Sequence, residues 1–272
     1  MLRDSGYNTV SYFPYTYLGD GKLDVAEVQL LRDKANLTTT FNHNYRLIAL
    51  IKDNLAGIYS LQGRWDKAEK LEIEVMETRK TKLGADHPDT LSSIANLAST
   101  YWNQGRWDEA EQLEIEVMET SKTKLGADHP NTLSSMANLA LTYWNQSQWD
   151  KAEKLQVEVI EIRKTKLGAD HLDTLSSMAN LALTYWNQSR WDEAEKLEVK
   201  VMETRKTKLG ADHPDTLSSM ENLAFTWKDL GRNKDALKLL EECVTSRTRT
   251  IGSNHPNTLS SSTTLLEWQT EE

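Results

Sequence analysis

The sequence predicts an all-α protein, a right-handed α-solenoid of tandem helix–turn–helix units. Two observations carry that expectation: a motif that returns at a fixed interval, and two stretches per interval whose apolar residues recur at helical spacing. Leu83-Gly84-Ala85-Asp86-His87-Pro88-Asp89-Thr90-Leu91 recurs from Leu125, Leu167 and Leu209, and in weaker form from Ile251, each 42 residues after the last. Residues 83–124 and 125–166 agree at 30 of 42 positions. A period of this length is the signature of stacked repeats, each too small to bury its own apolar face.

The phase sets the organisation. Tyr17, Gly21, Asp24, Ala26 and Glu27 stand one period before Tyr59, Gly63, Asp66, Ala68 and Glu69, so residues 1–40 read as a degenerate N-terminal repeat or cap. Pro14 should shorten its first helix, since proline removes a helical hydrogen bond. Repeats follow at 41–82, 83–124, 125–166, 167–208 and 209–250, and 251–272 is a partial repeat with a single helix.

Within 83–124, Pro88 suits a first helical turn, where a missing N–H costs nothing. The segment to Asn103 places Leu91, Ile94, Leu97, Ala98, Tyr101 and Trp102 on one arc of a helix. Gly105 closes it, and Ser147 and Ser189 take that place in two repeats. A second helix starts near Trp107 and aligns Ala110, Leu113, Val117 and Met118. Asp108, Glu109 and Glu111 open it and Lys122 and Lys124 end it, charges that suit the helix dipole. Neither stripe can be buried alone, so the helix pairs must stack.

Composition narrows the function. Among 272 residues, 32 are basic and 41 acidic, a formal charge of −9 that argues against a general grip on nucleic acid or anionic lipid. No apolar run approaches the roughly 18 residues of a membrane span, and the first residues do not open a signal peptide. Asn-x-Ser/Thr triplets at Asn36, Asn145 and Asn187 would matter only after secretion. One cysteine, Cys243, can form neither an intrachain disulfide nor a zinc cluster alone. The expectation is a cytoplasmic, reduced protein.

The columns Leu97-Ala98, Tyr101, Gly105, Trp107, Ala110 and Val117 resemble the tetratricopeptide repeat pattern. The 42-residue period with Leu-Gly-x-x-His-Pro-x-Thr-Leu and Asn-Leu-Ala looks like the kinesin-light-chain variety, and is also similar to the repeats of fungal NB-ARC or NACHT receptor-like ATPases. The resemblance implies a protein-interaction scaffold with first helices lining a concave face. There is no Gly-x-x-x-x-Gly-Lys-Ser/Thr to bind a nucleotide phosphate. Where an aromatic often packs in the second helix, this chain has Glu72, Glu114, Gln156 and Glu198, with Leu240 in the last copy. A buried charge needs a partner, so a neighbouring indole or tyrosine hydroxyl is expected beside Glu114, unless the column lines the groove.

The column His87, His129, His171, His213 and His255 invites a metal reading. Equivalent positions should lie roughly 15–20 Å apart, two helix spacings, whereas a metal needs ligands around one point. A role at the helix start fits better. No nucleophile triad, carboxylate pair or phosphate loop appears, so the chain reads as a non-enzyme without cofactor. Trp65, Trp107, Trp149 and Trp191 are expected in the core; Trp102, Trp144 and Trp186 stand at the edge of the first-helix arc.

Asn54, Asn96, Asn138, Asn180 and Asn222 recur at one register, beside the apolar arc. Under the resemblance they form a ladder on which an amide, both donor and acceptor, holds the backbone of an extended peptide. The alternative is a hydrogen bond between helices. Three residues on, the column reads Gly57, Ser99, Leu141, Leu183 and Phe225, apolar pockets that deepen toward the C-terminus; the next stripe holds Leu61, Asn103, Asn145, Asn187 and Asp229. The expected partner is a protein or peptide, not nucleic acid or membrane. The alternative is a self-assembling array whose ends form homo-oligomers.

Overall fold

A computed structural model describes residues 27–32 and 45–271, and every regular element among them is a helix. We number these α1 (27–32), α2 (Tyr45–Leu61), α3 (Trp65–Leu83), α4 (Pro88–Asn103), α5 (Trp107–Leu125) and α6 (Pro130–Asn145). They continue as α7 (Trp149–Leu167), α8 (Leu172–Asn187), α9 (Trp191–Leu209), α10 (Pro214–Asp229), α11 (Asn233–Ile251) and α12 (Pro256–Thr270). The fold is the all-α tandem-repeat solenoid. Most of the degenerate first repeat, Pro14 included, lies outside the described residues. Glu27 of α1 is described, and it pairs with Arg64 at 2.6 Å in the register where Glu69 pairs with Arg106 at 3.1 Å.

The chain forms two compact units, Met1–Thr142 and Tyr143–Glu272. In the first, α2 packs on α3, α3 on α4 and α4 on α5. Leu30, Ile51, Leu55 and Ile58 form one apolar cluster there, and Leu91, Ile94 and Val117 another. In the second, each helix from α7 to α12 packs on the next. Its clusters centre on Leu175, Met178 and Val201, and on Leu217, Leu223, Leu240 and Cys243. Ala68, Ala110, Ala152, Ala194 and Ala236 are completely enclosed. Small side chains there let paired helices approach closely.

The recurrent motif is a helix-start device. Gly84 has φ 101° and ψ 160°, a region essentially reserved for glycine. Its carbonyl accepts from Thr90 Oγ1 at 2.8 Å, and Thr174 and Thr216 do the same to Gly168 and Gly210 at 2.9 Å. His87 Nδ1 then accepts from the backbone N–H of Asp89 at 3.1 Å, satisfying a donor that the helix start leaves orphaned. His129, His171, His213 and His255 repeat that bond at 3.1–3.2 Å. The histidine column is therefore a column of N-caps.

Neighbouring repeats are also clamped within each unit. The Arg106 guanidinium lies 4.0 Å from the Tyr101 ring centroid and reaches back to Glu69 and forward to Glu109. Arg190 does the same with Tyr185, Glu153 and Glu193, and Arg232 with Trp227, Glu195 and Asp235. An exposed pair contributes about 0–1 kcal/mol, so the clamps matter by repetition.

One expectation about the core is corrected. Trp65, Trp107, Trp149 and Trp191 are not buried; Trp107 is 36% exposed and the others are half-buried. A side chain at the first helical position lies over the preceding turn rather than over the helix interior, so each indole stays partly exposed.

Candidate functional site

The first helices carry the predicted ladder, and the structure places each member on their accessible side. Asn96 and Asn138 are exposed, while Asn54, Asn180 and Asn222 are half-buried. None of these five amide side chains hydrogen-bonds to another described residue. The alternative, a hydrogen bond between helices, is not seen for these amides among the described residues. The next stripe differs: Asn103 and Asn187 turn back to the carbonyls of Ser99 and Leu183, at 2.7 and 2.8 Å, and Asn145 is half-buried. Leu141 and Leu183 are half-buried beside the ladder. Phe225 is also half-buried, edge-on to Trp268 with centroids 5.1 Å apart, so the chain's own indole fills part of that position.

The edge tryptophans diverge. Trp102 is 37% exposed; Trp186 donates its indole N–H to Asp229 at 2.7 Å; Trp144 stacks edge-on against Trp149 and leaves its N–H unbonded. A surface cleft lined by Lys206, Ala211, Met220, Lys238, Glu241 and Thr245 contains no ladder residue.

The buried polar column also departs from expectation. Glu72, Glu114, Gln156 and Glu198 are buried, but threonines rather than an indole or tyrosine face them from the first helix of the following repeat. Gln156 accepts from Thr184 Oγ1 at 2.8 Å. Thr100, Thr142 and Thr226 stand in the same register opposite Glu72, Glu114 and Glu198, each of which keeps one oxygen without a partner. Burial pushes each of these three carboxyls up to about 7, the threonine opposing and nearby Glu69, Glu111 and Glu195 respectively reinforcing the rise. A small hydroxyl fits between close-packed helices where a ring would not. These groups sit between helices, away from the ladder.

Sequence reasoning missed an arginine column, Arg79, Arg163, Arg205 and Arg247, at the ends of second helices. Each donates to a serine hydroxyl and a backbone carbonyl at the start of the next first helix; for Arg205 these are Ser219 Oγ and Asp215 O, at 2.9 and 3.3 Å. Its 42-residue recurrence, interrupted only by Ser121, was the available signal.

Cys243 is enclosed, donates its Sγ–H to the Leu217 carbonyl at 3.3 Å, and is pushed up to about 11 by burial, the opposite of an activated thiol. Among the described residues no three His, Cys, Asp or Glu gather where they could hold a metal ion, and no described helix is long and apolar enough to cross a membrane.

Comparison with known proteins agrees with this architecture. The tetratricopeptide repeat family matches residues 46–123 and 93–165 in one form, and 174–215 and 216–257 in another, about three quarters of the chain together. The chain belongs to the tetratricopeptide repeat family. Among solved structures, it is similar to a P. anserina kinesin light chain with nearly identical TPR-like repeats, at 29% identity over 76% of this chain and 96% of that one, with a TM-score of 0.68. BtubC (BKLC) from P. vanneervenii shares 20% identity over 87% of this chain and 95% of its own, with a TM-score of 0.72. The apo quorum sensor NprR from B. thuringiensis shares 15% over 90% and 65%, with a TM-score of 0.67. At such identities the last two speak to fold alone. No curated protein matches the chain.

Proposed function

We propose that this chain is a protein-interaction scaffold whose first helices hold an extended peptide or partner loop, backbone against the asparagine column and side chains against Leu141, Leu183 and Phe225. The supporting observation is that the five ladder amides occupy one accessible register and make no hydrogen bond to a described residue. A polar side chain kept in five successive copies without a partner among the described residues supports a partner outside the chain. The resemblance to fungal receptor repeats suggests the setting, the sensing or scaffolding part of an NB-ARC-type protein.

The test begins with a randomised peptide library panned on the full chain, which supplies a probe peptide. Asn96→Ala with Asn138→Ala, and separately Asn180→Ala with Asn222→Ala, should each weaken that peptide by about 1–3 kcal/mol, a five-fold or greater loss in calorimetric affinity. Helical content by circular dichroism should be unchanged. Normal binding would remove the ladder from the site; unfolding would make the asparagines structural.

A second reading, self-assembly, draws on α12. Leu259 and Leu266 are 52% and 63% exposed, while their equivalents Leu217 and Ala224 are 2% and 0% exposed. A mass by light scattering that stays monomeric as concentration rises would end that reading.

A further inference from the structure

The arginine column contains its own comparison. Arg79 Nη2 pairs with Asp53 at 2.5 Å, and Arg247 Nη1 pairs with Glu221 at 2.9 Å. In both cases the carboxylate stands 26 positions before the arginine, on the preceding first helix, next to a ladder asparagine (Asn54, Asn222). In the repeat where Ser121 replaces the arginine, Ala95 replaces the acid, so both charges are gone. At Arg205 the acid alone is gone: Ala179 occupies its place, beside Asn180. Arg163 and Ala137 show the same combination in sequence.

Arg205 is 9% exposed and has no ion-pair partner among the described residues. It spends Nη1 on Asp215 O and Ser219 Oγ, and Nη2 on Ser176 Oγ at 3.2 Å; its Nε is buried with no acceptor. Ser176 is exposed on the first helix, one turn before Asn180, so this edge of the guanidinium reaches the ladder face. A nearly enclosed cation is costly unless an anion meets it. In two other repeats an acid pairs with the arginine directly; here Ala179 stands in the acid's place, and the charge that bears on Arg205 is that of Asp215, which forms no ion pair with it.

We propose that Arg205, framed by Ser176, Ala179 and Asn180, is a receptor for a carboxylate side chain of the bound peptide, and that the peptide therefore carries an Asp or Glu in register with this repeat. The site rests on the ladder reading for its peptide but not for its charge. A carboxylate accepting from the guanidinium edge takes the position that the Asp53 and Glu221 carboxylates hold elsewhere, and charge-assisted bonds of this kind are the stronger ones. The partner class is an acidic extended peptide.

Two measurements on the full chain decide it. In the first, N-acetyl-glutamate amide is titrated against the Arg205 Nε–Hε nuclear magnetic resonance signal, assigned by its loss in Arg205→Lys, with N-acetyl-glutamine amide as the uncharged control. The glutamate probe should shift the signal in the wild type. It should not do so in Ala179→Glu, where the chain supplies its own carboxylate, and that variant should melt higher. In the second, library peptides selected on the wild type should favour Asp or Glu over Asn or Gln at one position by about ten-fold, and that preference should vanish in Ala179→Glu. A signal unmoved by glutamate relative to glutamine overturns the proposal even if no peptide binds at all. Peptides that bind through the asparagines without an acidic preference overturn it while leaving the ladder intact. Absence of any selected peptide, with the glutamate shift present, removes the ladder and keeps the carboxylate site.

Discussion

At Glu72, Glu114 and Glu198 a titratable group occupies a position where the fold needs a neutral one. Each carboxyl is raised from an ordinary value of 4.5 to about 7, so the folded chain binds protons that the unfolded chain has released. The stability they contribute is fully present below about pH 4.5 and is lost as pH rises through about 7. The charges bearing on them act in the same direction: Asp53 and Glu69 near Glu72, Glu111 near Glu114, Glu195 near Glu198. Glu72→Gln, Glu114→Gln and Glu198→Gln together should leave the melting temperature at pH 4 nearly unchanged and raise it at pH 8. The gain should be on the order of 3 kcal/mol per site before relaxation. Parallel pH profiles for variant and wild type would show that the carboxyls are solvated. Gln156, already neutral and bonded to Thr184, is the natural precedent.

At the scale of the helix, the turns between paired helices show what the chain tolerates. Gly63, Gly105 and Gly231 end their first helices at φ 69–75°, while Ser147 and Ser189 hold the same left-handed turn at φ 59° and 58°. A side chain pays about 1–2 kcal/mol there, partly offset by the greater freedom of an unfolded glycine. Ser147→Gly and Ser189→Gly should each stabilise by about 0.5–1 kcal/mol, read from chemical denaturation; a loss of stability would mean that the hydroxyls do structural work.

Much of this level was legible beforehand. Pro88, Asn103 and Trp107 mark true helix limits, and the enclosed alanines fall where the apolar arc put them. What escaped was partnership across repeats. Periodicity says that Trp107 and Glu114 share the phase of apolar residues, but not that the indole is partly exposed or that a threonine 28 residues on, Thr142, faces the acid. The arginine column was equally periodic, yet its meaning depends on which atoms it meets. The ladder asparagines were readable as a column; their lack of internal partners was not.

At the scale of the molecule, the junctions between repeats use the same vocabulary. Glutamate or glutamine meets threonine, except at Leu240; arginine meets serine and a carbonyl, except at Ser121; and an enclosed alanine recurs in each second helix. Removal of residues 167–208 would set Gln156 opposite Thr226 and Arg163 opposite Ser219, the same pairings as Gln156 with Thr184 and Arg163 with Ser177. That deletion should yield a folded protein with unchanged helicity per residue and reduced stability, since one unit and one interface are lost. Circular dichroism and denaturant unfolding check it. Collapse of the helical signal would mean that the junctions are not interchangeable.

Interchangeable seams have a genetic meaning. Unequal recombination between near-identical coding units adds or drops a whole period, and here each product joins compatible surfaces without waiting for compensating changes. The length of the stacked array can then change in a single event, while its side chains drift one codon at a time. Ala179 and Glu221, the same column filled and unfilled, show that slower process within one chain.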